Sequence, residues 1–150
     1  MNRPRLLDWN AIRRICPPAA REWLAGWLGN AGERAAARFL KKLGYRVIAR
    51  RHRTPLGELD LVALDGEVIV FVEVKTRRST DAGHPFEAVD RRKQAQLTRL
   101  ALAFLKQHGW LERRARFDVV SIVWPEGARH PQITHFRDAF EAVGEGQMFS

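Results

Sequence analysis

Hydrophobic and polar positions change period several times along the chain, and each change marks an element. The densest apolar stretch is a pair of runs, Leu59 to Leu64 and Val68 to Val74, rich in aliphatic and β-branched residues. Asp65-Gly66 between them is a strong hairpin signal, so the two runs predict paired, buried strands. Upstream, Ala36, Phe39, Leu40 and Leu43 recur at helical spacing. They predict a helix from about Ala31 to Leu43, with Asn30 as candidate N-cap and Gly44 as the stop. Tyr45 to Thr54 reads as a strand, and Pro55-Leu56-Gly57 as a turn into the hairpin. After a polar loop over Thr76 to Pro85, residues Leu97, Leu100, Ala101, Phe104 and Leu105 predict a second helix from about Phe86 to His108, ending at Gly109. Val89 and Lys93 extend its apolar stripe. A strand over Arg116 to Trp124, a loop to Pro131, a short strand near Gln132 to Phe136 and a helical turn at Arg137 to Val143 complete the order. A right-handed crossover from the hairpin through the second helix gives an α/β fold, a mixed central sheet flanked by helices.

The 150 residues suffice for one domain with a sizeable core. Residues 1–29 read as a basic and apolar extension interrupted by Pro17-Pro18, residues 30–143 as the domain, and residues 144–150 as a frayed tail. Within the extension, Trp23, Leu24, Trp27 and Leu28 share one helical face suited to packing on the domain or a partner. The net charge of +9 favours an anionic partner, nucleic acid first. Residues 1–56 hold 13 Lys/Arg against 3 Asp/Glu, whereas the remainder is nearly balanced at 13 against 14. The single cysteine, Cys16, leaves no internal disulfide or cysteine-pair zinc site. No apolar run approaches the roughly 20 residues of a membrane span, and no signal sequence is evident, so a cytoplasmic location is expected.

The chemistry concentrates in the hairpin. With Asp65 and Gly66 as the loop, Leu64 faces Glu67, Asp60 faces Phe71 and Glu58 faces Glu73, so Glu58, Asp60, Glu73 and Lys75 all project from one sheet face. Asp60 and Glu73 could then hold one hard cation, Mg²⁺ or Mn²⁺, that also binds substrate phosphate. Lys75 would stabilise developing charge or position the attacking water. Glu33 has two readings, the N3 partner of a capping box with Asn30 or a carboxylate aimed along the core face. Lys93 points at the sheet. Arg50, Arg51 and Arg53, Arg77 and Arg78, and Arg91 and Arg92 form a basic rim for a phosphate backbone. The alternative is a metal-free ion-pair network in which Lys75 satisfies Asp60 and Glu73; desolvation makes that a poor way to stabilise a sheet.

Asp60 followed by Glu73-Val74-Lys75 resembles the D…(D/E)xK signature of the PD-(D/E)xK nucleases. The ordered set GERAAARFL, GELDLVA, VFVEVKTR, Lys93 and RFDVV resembles the YraN-like uncharacterised family of bacterial proteins, over about residues 29 to 141. The resemblance implies a restriction-endonuclease-like αβββαβ core similar to that of archaeal Holliday-junction resolvases. It also implies metal-dependent phosphodiester hydrolysis by Asp60, Glu73 and Lys75 with Glu33 as the helix-borne acid, and Glu58 and Lys93 as secondary groups. Leu59 stands where the signature names a proline. Asp118, within RFDVV, reads as a structural partner for an arginine or a backbone cap. The expected partner is DNA, structured or branched DNA included, with a homodimer left open. A non-catalytic nucleic-acid binder of the same fold and an interaction module docking through the N-terminal helix are the competing readings. No P-loop, dinucleotide fingerprint or nucleophile elbow is present.

Overall fold

A computed structural model describes residues 19–78 and 89–144, the side chains of residues 19–27 excepted. Helix α1 spans Ala19–Lys42, β1 Arg46–Thr54, β2 Gly57–Asp65, β3 Val68–Arg77, α2 Arg91–Gln107, β4 Ala115–Val123 and β5 Gln132–Phe140. The strands form one sheet in the order β1-β2-β3-β4-β5. β3 and β4 are parallel, joined through α2, and the other neighbours are antiparallel.

One helix covers each face. Ala36, Ala37 and Leu40 of α1 pack with Leu61, Val70, Val72, Val120 and Ile122. Leu97, Leu100, Phe104 and Leu105 of α2 pack with Leu59, Val62, Phe71, Phe117 and Val119. Alternation along β3 accounts for the split, since Ile69 and Phe71 fall to the α2 side and Val70 and Val72 to the α1 side. Gly32 lets α1 approach closely, because a Cβ there would collide with the Thr76 hydroxyl. This is the restriction-endonuclease-like αβββαβ core with β5 added at the edge.

Four expectations need correction. Helix α1 spans Ala19–Lys42, so Asn30 lies inside it and caps nothing. Helix α2 begins at Arg91 rather than Phe86, capped by Asp90, whose carboxylate accepts from the Lys93 N–H (2.8 Å). The hairpin pairs Leu64 with Ile69 and Asp65 with Val68, a shift of two residues, so Gly66 (φ 59°) and Glu67 form the loop. Finally, β5 replaces both the short strand and the helical turn at Arg137 to Val143. Asp138 at φ 52° puts a bulge in β5, which breaks the alternation that a strand would otherwise show. The expected tail beyond residue 144, the loop from residue 79 to 85 and most of the extension lie outside the described residues.

Candidate metal and nuclease site

Because side chains alternate with period two, the two-residue slip preserves which hairpin residues share a side. Extended by one step, the observed pairing sets Asp60 level with Glu73. The ladder opens there. The Val74 N–H donates to the Asp60 carboxylate (2.9 Å). On the other edge of β2, Arg51 has φ 48° between pairs Arg50 with Leu61 and His52 with Leu59. A non-glycine residue in this region is uncommon and marks a kink. Across the kink β2 changes sides, for Leu59 packs under α2 and Leu61 under α1.

Consequently the four charges gather at one end of the sheet, not on one face. Glu58 and Asp60 meet Glu33 of α1, carboxylate oxygens of the three lying within 4.8 Å of one another. Arg51 bridges Glu33 (3.4 Å) and Glu58 (3.6 Å), while Arg53 holds Glu58 at 2.6 Å. Glu73 instead meets Lys75 (3.3 Å) and Lys93 of α2 (3.6 Å) through the same oxygen, Oε1. Asp60 lies between the two groups.

Burial dominates the electrostatics of the cluster. Burial, the Glu73 carboxylate, the Glu33 carboxylate and a hydrogen bond shared with Glu73 outweigh the Val74 N–H and push Asp60 from 3.8 up to about 7. Burial raises Glu33 too, Arg51 opposing and Glu58 reinforcing. The Arg53 hydrogen bond holds Glu58 below its ordinary value. Glu73 is 5% exposed, and its Oε2 is buried with no hydrogen-bond partner. An orphaned buried carboxylate oxygen beside a carboxyl whose ionisation burial disfavours fits a divalent cation in both respects. Asp60 and Glu73 could hold it directly, with Glu33 and Glu58 close behind.

Of the other sequence-predicted residues, Arg50, Arg51 and Arg53 line the exposed outer strand β1. Arg91 and Arg92 are exposed in the first turn of α2, which has no acidic residue. Cations at a helix N-terminus oppose the macrodipole, so this placement favours an arriving anion over helix stability. Arg77 and Arg78 lie half-buried at the end of β3, where the Arg77 carbonyl accepts from Trp124 N–H (2.7 Å). They are less accessible than the others. Sequence reasoning placed Arg51 at the edge of the acidic cluster but not its pairing with both Glu33 and Glu58, which follows from a kink that uses no glycine.

A sequence model of an uncharacterised protein family, UPF0102, matches residues 32–122. The chain is 49% identical over 110 residues to a UPF0102 protein of Paenarthrobacter aurescens, covering 73% of this chain and 90% of that relative. It is 47% identical over 120 residues to one of Rhodopirellula baltica, covering 78% and 72%, and 43% identical over 113 residues to one of Pelotomaculum thermopropionicum, covering 75% and 94%.

Proposed function

The chain belongs to the uncharacterised protein family UPF0102, the YraN-like family, and on that footing we propose that it is a divalent-metal-dependent nuclease that hydrolyses phosphodiester bonds in DNA, structured or branched DNA among its substrates. The observation that carries the reading is the parted hairpin end, where Asp60, Glu73 and Lys75 converge and Glu73 keeps one oxygen unpartnered.

Asp60 and Glu73 would hold Mg²⁺ or Mn²⁺, which supplies charge neutralisation at the phosphate and a more acidic bound water. The protein groups do the rest. The Val74 N–H fixes the Asp60 carboxylate, which lies beyond the last β2–β3 pair, Leu61 with Val72, and opposite the kink at Arg51. Lys75, tied to Glu73 at 3.3 Å and still 29% exposed, can donate to an incoming water or to a non-bridging phosphate oxygen. Lys93 shares Glu73 and limits the negative charge left on it. Arg51 draws Glu33 and Glu58 together, and the exposed Arg53 extends positive charge towards a passing backbone. No described helix is long and apolar enough to cross a membrane.

A panel of duplex, single-stranded, flapped and four-way DNA incubated with purified protein and Mg²⁺ should show cleavage of at least one member. Asp60→Ala and Lys75→Ala should each reduce that rate by about 100-fold or more, with DNA affinity within a few-fold of wild type. If clean wild type cuts nothing in the panel with either Mg²⁺ or Mn²⁺, the nuclease reading fails.

A further inference from the structure

Among the described residues three large apolar side chains are exposed, Leu43, Leu56 and Leu111. Two of them lie at the far end of the sheet. Leu43 precedes β1, whose first pair is Arg46 with Leu64, and Leu111 precedes β4, whose first pair is Ala115 with Ile69. Leu56 is at the other end, in the β1–β2 turn, where Thr54 pairs with Gly57 and Arg53 with Glu58 of the carboxylate cluster. It is 54% exposed.

An exposed leucine by itself is ordinary; this one is held out on a rigid turn. Pro55 fixes its own φ. Gly57 adopts φ 137°, which favours glycine, and a Cβ there would lie 2.7 Å from Gln96 Nε2. The Leu56 N–H donates to the Thr54 hydroxyl (3.2 Å), which donates in turn to the Gly57 carbonyl (3.3 Å). Gln96 of α2 donates to the Leu56 carbonyl (3.4 Å). The backbone is thus tied on both sides of the leucine while its side chain stays in water. Cations flank it, since Arg53 is 70% exposed on β1 and Arg92 is exposed one helical turn before Gln96.

A fixed apolar side chain between guanidinium groups fits DNA opened at one base step. The arginines match its phosphates, and the leucine covers the base face that unstacking uncovers. An apolar protein interface would instead need a contiguous patch, whereas Leu56 stands singly among cations. Resting on the nuclease reading, we propose that Leu56 is a wedge that enters the base stack of the bound DNA beside the cut. Opening a step of intact duplex costs free energy comparable with what burying one leucine gives back. The wedge therefore acts where the stack is already broken, at a nick or a branch point. Leu56 is four residues from Asp60, at most about 13 Å along an extended strand. With bases stacked about 3.4 Å apart, the opened step falls within about four nucleotides of the scissile phosphate. Leu56 is a positioning residue that sets where the DNA sits and takes no part in hydrolysis.

The test is equilibrium binding of the full chain in EDTA, where no hydrolysis occurs, to two DNAs carrying 2-aminopurine, a base that brightens when unstacked: a continuous duplex, and the same duplex nicked beside the probe. Wild type should raise the emission of the nicked DNA by about twofold or more and prefer it to continuous duplex by about fivefold. Leu56→Ser should abolish the rise and bring the preference to within about twofold of unity, while Leu56→Met should keep both. Leu111→Ala, which trims an exposed leucine at the far end, should match wild type. Because Leu56 is exposed, Leu56→Ser should melt within about 2 °C of wild type, which separates lost recognition from lost folding. Unchanged emission with wild type overturns the proposal, and so does a rise that survives Leu56→Ser or is lost equally in Leu111→Ala. The measurement is made without metal, so a protein that unstacks the nicked DNA yet never cleaves refutes only the nuclease reading. One that cleaves with no rise in emission refutes only the wedge.

Discussion

Two buried carboxylates stand almost side by side in the sheet and have been treated in opposite ways. Asp118 on β4 pairs in register with Val72, the residue before Glu73. It points to the α1 side, where it is completely buried. Arg116 Nε donates to it (3.0 Å), His135 Nε2 lies at 2.7 Å, and the Asp138 N–H donates at 3.0 Å. Arg116 in turn donates to Asp65 (3.0 Å) and to the Tyr45 hydroxyl (2.7 Å). Burial alone would raise Asp118, but the hydrogen bonds from His135, Arg116 and the Asp138 backbone outweigh it and hold the carboxyl below its ordinary value. Glu73 has two lysines on one oxygen and nothing on the other, and its neighbour Asp60 is driven up. The Asp118 carboxylate has its donors built around it, whereas part of the Glu73 shell is left open.

The same substitution at the two sites should therefore act with opposite signs. Asp118→Asn leaves Arg116 short of its main partner in an enclosed site, and should cost about 3 kcal/mol, or roughly 6 to 12 °C in melting temperature for a chain of this size. Asp60→Asn keeps an acceptor for the Val74 N–H and removes a charge that burial disfavours, so at pH 8 it should raise stability. Denaturant melts of the two variants beside wild type decide the matter, and a loss of stability in both would erase the distinction.

Acidity separates the sites further. The Asp60 carboxyl is higher in the folded chain than the 3.8 of the unfolded one, so its contribution is fully present below pH 3.8 and is lost as pH rises through about 7. Asp118 runs the other way, contributing above its unfolded value and losing that as pH falls through its depressed folded value. Wild-type stability without metal should thus decline by roughly 2 to 4 kcal/mol between pH 4 and pH 7.5, and Asp60→Asn should flatten that decline. A flat wild-type profile would mean that the folded chain does not raise the Asp60 carboxyl.

Adding Mg²⁺ at pH 7.5 should reverse part of the loss. At tenfold over its dissociation constant the ion stabilises by about 1.4 kcal/mol, a melting shift of roughly 3 to 6 °C. Asp60→Asn and Glu73→Gln should lose the shift, whereas a surface change such as Lys106→Ala should keep it. Thermal melts with and without EDTA measure it directly.

How far the sequence anticipates the site follows from which features are periodic. Asp60, Glu73 and Lys75 were legible because strand parity survives a two-residue slip, so the wrong partner, Phe71 for Asp60, still left the carboxylates on course to meet. The β3–α2–β4 unit was legible for the same reason, its apolar residues recurring at two and then at 3.6. The kinks were not. Arg51 and Asp138 adopt positive φ without glycine, because tertiary contacts hold them there. Hence β2 was expected to keep one face and β5 to end in a helical turn. The start of α1 was hidden by Asn30 and three glycines, which look like a boundary, while nothing between Ala19 and Lys42 is a proline. Glu33 therefore sits mid-helix with no capping duty, which leaves its carboxylate to the cluster.

The smallest expected effect tests the exposed margin of the comparison. Arg53 lies 2.6 Å from Glu58 yet is 70% exposed, so the pair is screened by water and salt. Arg53→Ala should change stability by less than about 1 kcal/mol, in contrast to Asp118→Asn, although the Asp118 bonds are no shorter. Its effect should appear in DNA binding instead. If Arg53 contacts one phosphate, removing it should lower the slope of log affinity against log salt by about 1, with equal weakening on every sequence tried. An unchanged slope would place the backbone away from β1 and return Arg53 to a minor support for Glu58.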